Sequence, residues 1–270
     1  MGEIIVLNDI AYGEHDRQRM DVYIPSEAKS RSGVILFIHG GGWSQGDKSA
    51  HASDARYWCE RGYLSASMNY RYVSETIDVF DELDDVTGAL SAAADACGHF
   101  GFSPQRVFLS GGSAGAHLSL LYALTRRENA PVKPVGVLAY CPPVDCAAPD
   151  FLLGISGEFE DWKYKVLSKC CGFRITKQNY DTQPSKSALA KISPITYVEN
   201  LSFPVAIGHG KKDDIVPFDQ SVSFLRELEK RGLEHDLIVF ENSGHVLDKD
   251  PDAVQRSREV MAQYLEKVFA

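Results

Sequence analysis

The chain lacks the patterns that would classify it at once. Its six cysteines (Cys59, Cys97, Cys141, Cys146, Cys170 and Cys171) form no Cys-x-x-Cys pair and no ligand-like spacing with histidine, so reduced structural thiols are expected rather than a metal site. No run of lysine and arginine could track a phosphate backbone, and 37 acidic residues against 28 basic ones leave a formal net charge of −9. Nucleic acid is not an expected partner. The acidity also mildly disfavours a polyanionic substrate, unless charge on a local insertion overrides it.

Long apolar stretches are missing too. None approaches the roughly 20 residues of a membrane span. The opening Met1-Gly2-Glu3-Ile4-Ile5-Val6 has no basic region, is followed by Asn8 and Asp9, and carries no Ser or Thr at position 6. Neither a secretory leader nor a myristoylation signal is read there. A cytoplasmic protein without a membrane partner is the expectation.

What remains is ordinary globular material: 270 residues, 44% hydrophobic and 24% charged, enough for one large core. Alternating or fully apolar runs predict strands over Ile4–Ile10, Met20–Ile24, Val34–Ile38, Tyr63–Met68, Arg106–Leu109, Val135–Ala139, Val205–Ile207 and Leu237–Phe240. Three- and four-residue spacing predicts helices over His51–Arg61, Leu83–Phe100, Ala114–Arg126, Phe218–Arg231 and Asp252–Phe269, with Asp250 and Pro251 as N-cap and first-turn pair of the last. Alternation of helix and strand after the first strands predicts an α/β fold, a mostly parallel doubly wound sheet with helices on both faces.

One stretch breaks the rhythm. Residues 146–193 carry Phe151, Phe159, Trp162, Tyr164, Phe173 and Tyr180 among many charges. An insertion of that kind predicts a small cap over a site, with 1–145 and 194–270 forming the core.

The chemistry concentrates at four turns. Strand Arg106–Leu109 runs through Ser110 into Gly111-Gly112-Ser113-Ala114-Gly115 and then an apolar helix. Strand, sharp turn and helix form the context in which a Gly-x-Ser-x-Gly serine is presented as a nucleophile, with glycines where side chains would collide with neighbouring elements. Strand Val34–Ile38 ends in His39-Gly40-Gly41-Gly42-Trp43. Attack on an ester generates an oxyanion, and the backbone N–H groups of Gly41, Gly42 and Ala114 are candidate donors for it. A phosphate-cradling loop is disfavoured, since no Gly-Lys-Ser/Thr follows.

A serine hydroxyl needs a base and an orienting acid. Of eight histidines, His245 in Asn242-Ser243-Gly244-His245 lies on a loop beyond the last strand, at the sheet edge where α/β sites form. His39 is expected to brace its loop. The acid should fall between Ser113 and His245 in chain order. Asp213 in His209-Gly210-Lys211-Lys212-Asp213-Asp214-Ile215-Val216-Pro217 is preferred, with Asp214 as local rival and Asp145 as a more distant one.

Together these four segments resemble the α/β-hydrolase carboxylesterases, most nearly the hormone-sensitive-lipase-like and bacterial acetyl- or feruloyl-esterase-like groups. The resemblance runs from about Met20 onward and implies the triad Ser113, Asp213 and His245 with oxyanion donors Gly41, Gly42 and Ala114. Gly112 and Ala116 stand where lipase-like members carry an acidic residue and a glycine, and Tyr72-Val73-Ser74-Glu75 replaces their Ala-Pro-Glu. The implied activity is hydrolysis of short acyl esters, acetyl or small aryl and sugar esters, with Trp43, Phe151 and Trp162 against the substrate. No cofactor and no metal is required for that chemistry. Arylformamidase chemistry and ligand binding without turnover are the alternatives, and a homodimer stays open.

Overall fold

A computed structural model describes residues 3–30, 32–153 and 158–270. Met1 and Gly2 of the leader reading, residues 154–157 of the predicted insertion and the Phe159 side chain lie outside the described set.

The eight predicted strands are all present: β1 (Ile4–Ala11), β2 (Arg19–Pro25), β3 (Gly33–Ile38), β4 (Leu64–Met68), β5 (Arg106–Gly112), β6 (Lys133–Tyr140), β7 (Val205–Gly210) and β8 (His235–Phe240). They make one eight-stranded sheet in the order β1-β2-β4-β3-β5-β6-β7-β8. The β1/β2 and β2/β4 pairs are antiparallel and every later pair is parallel. This is the mostly parallel sheet that the alternating pattern predicts and the α/β-hydrolase arrangement that the resemblance implies.

The centre of the sheet shows why. All six residues of β3 are buried, and successive side chains of a strand face opposite ways. Val34, Leu36 and Ile38 join one core with Val79, Leu83 and Val86 of α2 (Val79–Gly98), with α3 (Ala114–Thr125), and with Phe224 and Leu228 of α7 (Phe218–Lys230). Ile35 and Phe37 join the other with Ala55 and Trp58 of α1 (Ala52–Cys59) and Met261 and Leu265 of α8 (Pro251–Phe269). An uninterrupted apolar strand is what burial on both faces demands.

Two boundaries and one cap differ from expectation for local reasons. Helix α2 starts four residues earlier, at Val79, because Asp78 and Asp81 form a reciprocal capping box. Strand β5 continues to Gly112, pairing Ser110, Gly111 and Gly112 with β6. Asp250 occupies the N-cap position of α8, but its side chain makes no cap bond. It accepts instead from Asn242 and Ser243, whose donors compete for the carboxylate.

Between β6 and β7 lie α4 (Pro149–Leu153), α5 (Glu158–Cys171) and α6 (Gln183–Lys191), where the sequence predicted the insertion. Among the described residues no helix is long and apolar enough to cross a membrane.

Candidate active site

Ser113 sits between β5 and α3 with φ 53° and ψ −119°. That backbone region costs an L-residue of order 1–3 kcal/mol and persists only where surrounding structure enforces it. Here the enforcement is visible: the Ser113 N–H donates to Tyr140 O at 2.7 Å, and its carbonyl accepts from His117 N at 2.9 Å. The turn fits only because Gly115 has no side chain, since a Cβ there would lie 2.0 Å from Ile38 O and 2.6 Å from His39 O.

His245 Nδ1 lies 2.7 Å from Asp213 Oδ2. An ionised carboxylate only accepts, so Nδ1 carries the proton and the Nε2 lone pair is left for a hydroxyl. The His245 ring is 18% exposed and the Asp213 carboxylate 0%. Asp213 is well supplied with donors. Oδ1 accepts from Ile215 N and Val216 N at 2.9 Å each, and Oδ2 lies 3.2 Å from His209 Nε2. Burial alone would raise the Asp213 pKa, yet the hydrogen bonds from His209 and His245 outweigh it and hold the carboxyl well below the ordinary range. Asp214 is exposed, and the Asp145 carboxylate accepts from Ala147 N.

His209 was not anticipated beyond its place at a strand end. Its Nε2 faces the Val216 carbonyl at 2.9 Å as well as Asp213, and its Nδ1 faces Ser221 Oγ at 2.6 Å. Two acceptors at Nε2 make that nitrogen the donor, with Ser221 donating to Nδ1. Its spacing of four from Asp213 was the available signal. Cys141 Sγ joins His209 and Asp213, all within 4.8 Å. Both imidazole nitrogens of His209 are already engaged by Ser221, Val216 and Asp213, so the ring braces the Asp213 carboxylate.

The loop after β3 is braced from both ends. The His39 ring stacks on Tyr70 at 4.3 Å, its Nδ1 donates to Gly40 O at 2.7 Å, and its Nε2 faces the Arg17 guanidinium at 3.2 Å. Trp43, with φ 58°, donates its indole N–H to His117 Nδ1 at 3.1 Å, while His117 Nε2 donates to Ile192 O at 2.6 Å. Burial lowers both histidines to a pKa of about 4. Among the described residues no protein acceptor takes the N–H of Gly41, Gly42 or Ala114. Gly42 has φ +54°, and a Cβ there would lie 2.3 Å from Trp162 Cη2, so the indole packs directly over the backbone.

A cavity of about 830 Å³ gathers Ser113, His245, Gly41, Gly42, Trp43, Phe151 and Trp162, seven of the nine residues proposed from sequence. Asp213 stands behind His245 and Ala114 opens α3, both outside that lining. Trp43 and Phe151 are 3% and 2% exposed, so each presents a small part of its ring while the rest is core. Lys163, buried in the same wall, was not foreseen, because a lysine among helical charges reads as a solvated one.

A strained serine at a strand-to-helix elbow, sharing a cavity with a histidine held by a buried carboxylate on a mostly parallel sheet, defines an α/β-hydrolase. The chain belongs to the BD-FAE family, whose model matches residues 20–228. It is 27% identical over 267 residues to a probable isoprenylcysteine alpha-carbonyl methylesterase of Oryza sativa subsp. japonica, covering 91% of this chain and 60% of that protein. It is 28% identical over 226 residues to the probable carboxylic ester hydrolase LipM of Mycobacterium tuberculosis, covering 82% and 51%. The chain thus spans three fifths or less of the length of these relatives. Among solved structures, a truncated carbohydrate esterase from gut microbiota superposes with a TM-score of 0.79 at 19% identity, over 98% of this chain and 97% of that one. Esterase B from Lactobacillus rhamnosis gives 0.76 at 20%, over 97% and 85%. At such identities the likeness is one of fold.

Proposed function

We propose that the protein is a serine carboxylesterase that hydrolyses short-chain acyl esters through an acyl-enzyme. The observation that carries this is the 2.7 Å contact of His245 Nδ1 with Asp213 beside a cavity that Ser113 and His245 share. Relatives named as a methylesterase and a carboxylic ester hydrolase support the same reading.

In the proposed cycle His245 Nε2 removes the Ser113 proton as Oγ attacks the ester carbonyl. The N–H groups of Gly41, Gly42 and Ala114 receive the negative charge, each typically worth about 3 kcal/mol in the transition state. His245 then protonates the departing alkoxide, and the same base activates water against the acyl-enzyme. Asp213 keeps Nε2 unprotonated in the resting state and balances the imidazolium as it forms. Residues 146–193 act as the cap, contributing Phe151 and Trp162 to the cavity.

The test is hydrolysis of p-nitrophenyl acetate, butyrate and decanoate, with Ser113→Ala and fluorophosphonate labelling beside it. Activity greatest on acetate or butyrate, abolished in Ser113→Ala, is expected. Rates rising toward decanoate overturn the short-chain reading, and an unlabelled Ser113 in folded protein favours a ligand-binding role without turnover.

A further inference from the structure

The cavity beside Ser113 is walled largely by apolar and aromatic groups, among them Trp43, Tyr140, Phe151, Trp162 and Val166. One lysine is set into that wall. Lys163 is only 4% exposed. Its ammonium donates to Phe151 O and, at 3.3 Å, to Ile215 O, and it lies 4.1 Å from the centroid of the Phe151 ring. Both residues bracketing the ammonium are themselves cavity walls.

A buried cation normally meets a carboxylate, because removing an ammonium from water costs several kcal/mol that neutral dipoles only partly return. Among the described residues no Asp or Glu forms an ion pair with Lys163. An ammonium has three N–H donors. Two are taken by backbone carbonyls, and the third has no protein acceptor among the described residues. Burial lowers its pKa to about 8, against the opposing pull of the Asp150 and Asp213 carboxylates beyond ion-pair distance, which leaves it a cation at neutral pH, and an anion in direct contact would favour the charged form further.

We propose that Lys163 is a specificity-determining residue of this cavity and that the preferred substrates are esters bearing a second, ionised carboxylate. The proposal rests on the esterase reading above and narrows its substrate class. The carboxylate of the ligand supplies a direct counter-charge, which no described Asp or Glu gives within ion-pair distance, and Lys163 thereby overrides, within the cavity, the repulsion of a chain with net charge −9. The carboxylate belongs to either the acyl part or the alcohol part of the ester, and two substrate pairs separate these. Monoethyl glutarate against ethyl pentanoate places it on the acyl side, and 4-acetoxybenzoate against 4-acetoxybenzamide on the alcohol side.

The experiment compares kcat/KM for both pairs in wild type, Lys163→Met and Lys163→Arg at pH 7. In wild type the anionic member of one pair is expected to be preferred by about tenfold or more, the worth of a charge-assisted hydrogen bond. That ratio falls to about one in Lys163→Met and persists in Lys163→Arg, with the change mainly in KM. A lysine that only clamps α5 to the Ile215 loop would lower all four rates together and leave the ratio unchanged, which overturns the proposal. So does a wild-type ratio near one for both pairs. Should Lys163→Met fail to fold, wild type alone decides through inhibition of p-nitrophenyl acetate hydrolysis. Glutarate or benzoate must inhibit competitively and more strongly than glutaramide or benzamide, and equal inhibition sinks the idea. No turnover of any of the four esters, together with an unlabelled Ser113, overturns the esterase reading itself.

Discussion

Trp43 and His117, 74 residues apart, meet edge to face at 5.1 Å with a 3.1 Å hydrogen bond from indole N–H to Nδ1. One residue belongs to the glycine loop after β3 and the other to α3, which Ser113 immediately precedes. The bond therefore locks the two backbone segments proposed to hold the oxyanion into one rigid unit, and it works only while His117 is neutral. An imidazolium has two N–H donors and no lone pair for the indole.

From this follows a pH dependence of stability. The folded-state pKa of His117 and of His39 is lowered to about 4 by burial, from 6.5. The unfolded chain therefore binds more protons than the folded one between those values. Their contribution is full above pH 6.5 and is lost as pH falls toward 4, at an upper bound of about 3 kcal/mol for each. Urea midpoints at pH 7, 5.5 and 4.5 should fall steadily in wild type. His117→Gln, whose amide can still accept from Trp43 and donate to Ile192 O, should show a shallower fall, and an unchanged slope would refute the assignment.

Asp213→Asn should lower kcat by about a thousandfold or more with a smaller effect on KM. An amide N–H facing His245 Nδ1 forces the tautomer in which Nε2 is protonated and cannot serve as base. Asp214→Asn, at an exposed position, should stay within about twofold of wild type. Steady-state kinetics on p-nitrophenyl acetate separate the two, and comparable losses would return Asp214 to contention.

The two glycines flanking the elbow should differ sharply. Gly115→Ala drives a methyl onto Ile38 O and His39 O, whereas a Cβ at Gly112 meets no heavy atom within 4 Å. Gly112→Ala should unfold within about 1 kcal/mol of the parent, and Gly115→Ala should lose several-fold more or fail to accumulate as folded protein. Thermal melts of the two variants side by side are the measurement.

Features carried by neighbouring residues were legible in the sequence. The elbow around Ser113, the His39 to Trp43 loop and the Ser243-Gly244-His245 turn each announce themselves through glycines beside an apolar strand, and the sheet follows from runs such as Val34–Ile38. Asp213 and Asp214 are hardly distinguished by the sequence, because adjacent carboxylates differ only in which one the turn directs inward. His209, Lys163 and the Trp43 to His117 bond were not visible. Their partners are set by how β7, α5 and α3 pack, and a histidine or lysine in a one-dimensional pattern carries no sign of being buried.

Asp250 shows the same limit and yields the last prediction. As a sequence feature it is an N-cap for α8. In the fold its carboxylate accepts from Asn242 N at 3.0 and 3.1 Å, from Asn242 Nδ2 at 2.8 Å and from Ser243 Oγ at 2.6 Å, and Ser243 Oγ in turn accepts from Lys249 N at 3.1 Å. Those bonds close residues 242–250 into a ring that carries His245, so in the proposed mechanism Asp250 positions the base. Asp250→Ala should lower kcat by about tenfold or more, since misplacing a catalytic group by an ångström is costly, with KM and helix content little changed. A capping role predicts the reverse: a lower melting temperature, with the folded fraction keeping its full kcat. Circular dichroism melts and active-site-titrated kinetics on one preparation decide between them, because only a loop-anchoring carboxylate changes the rate per folded molecule.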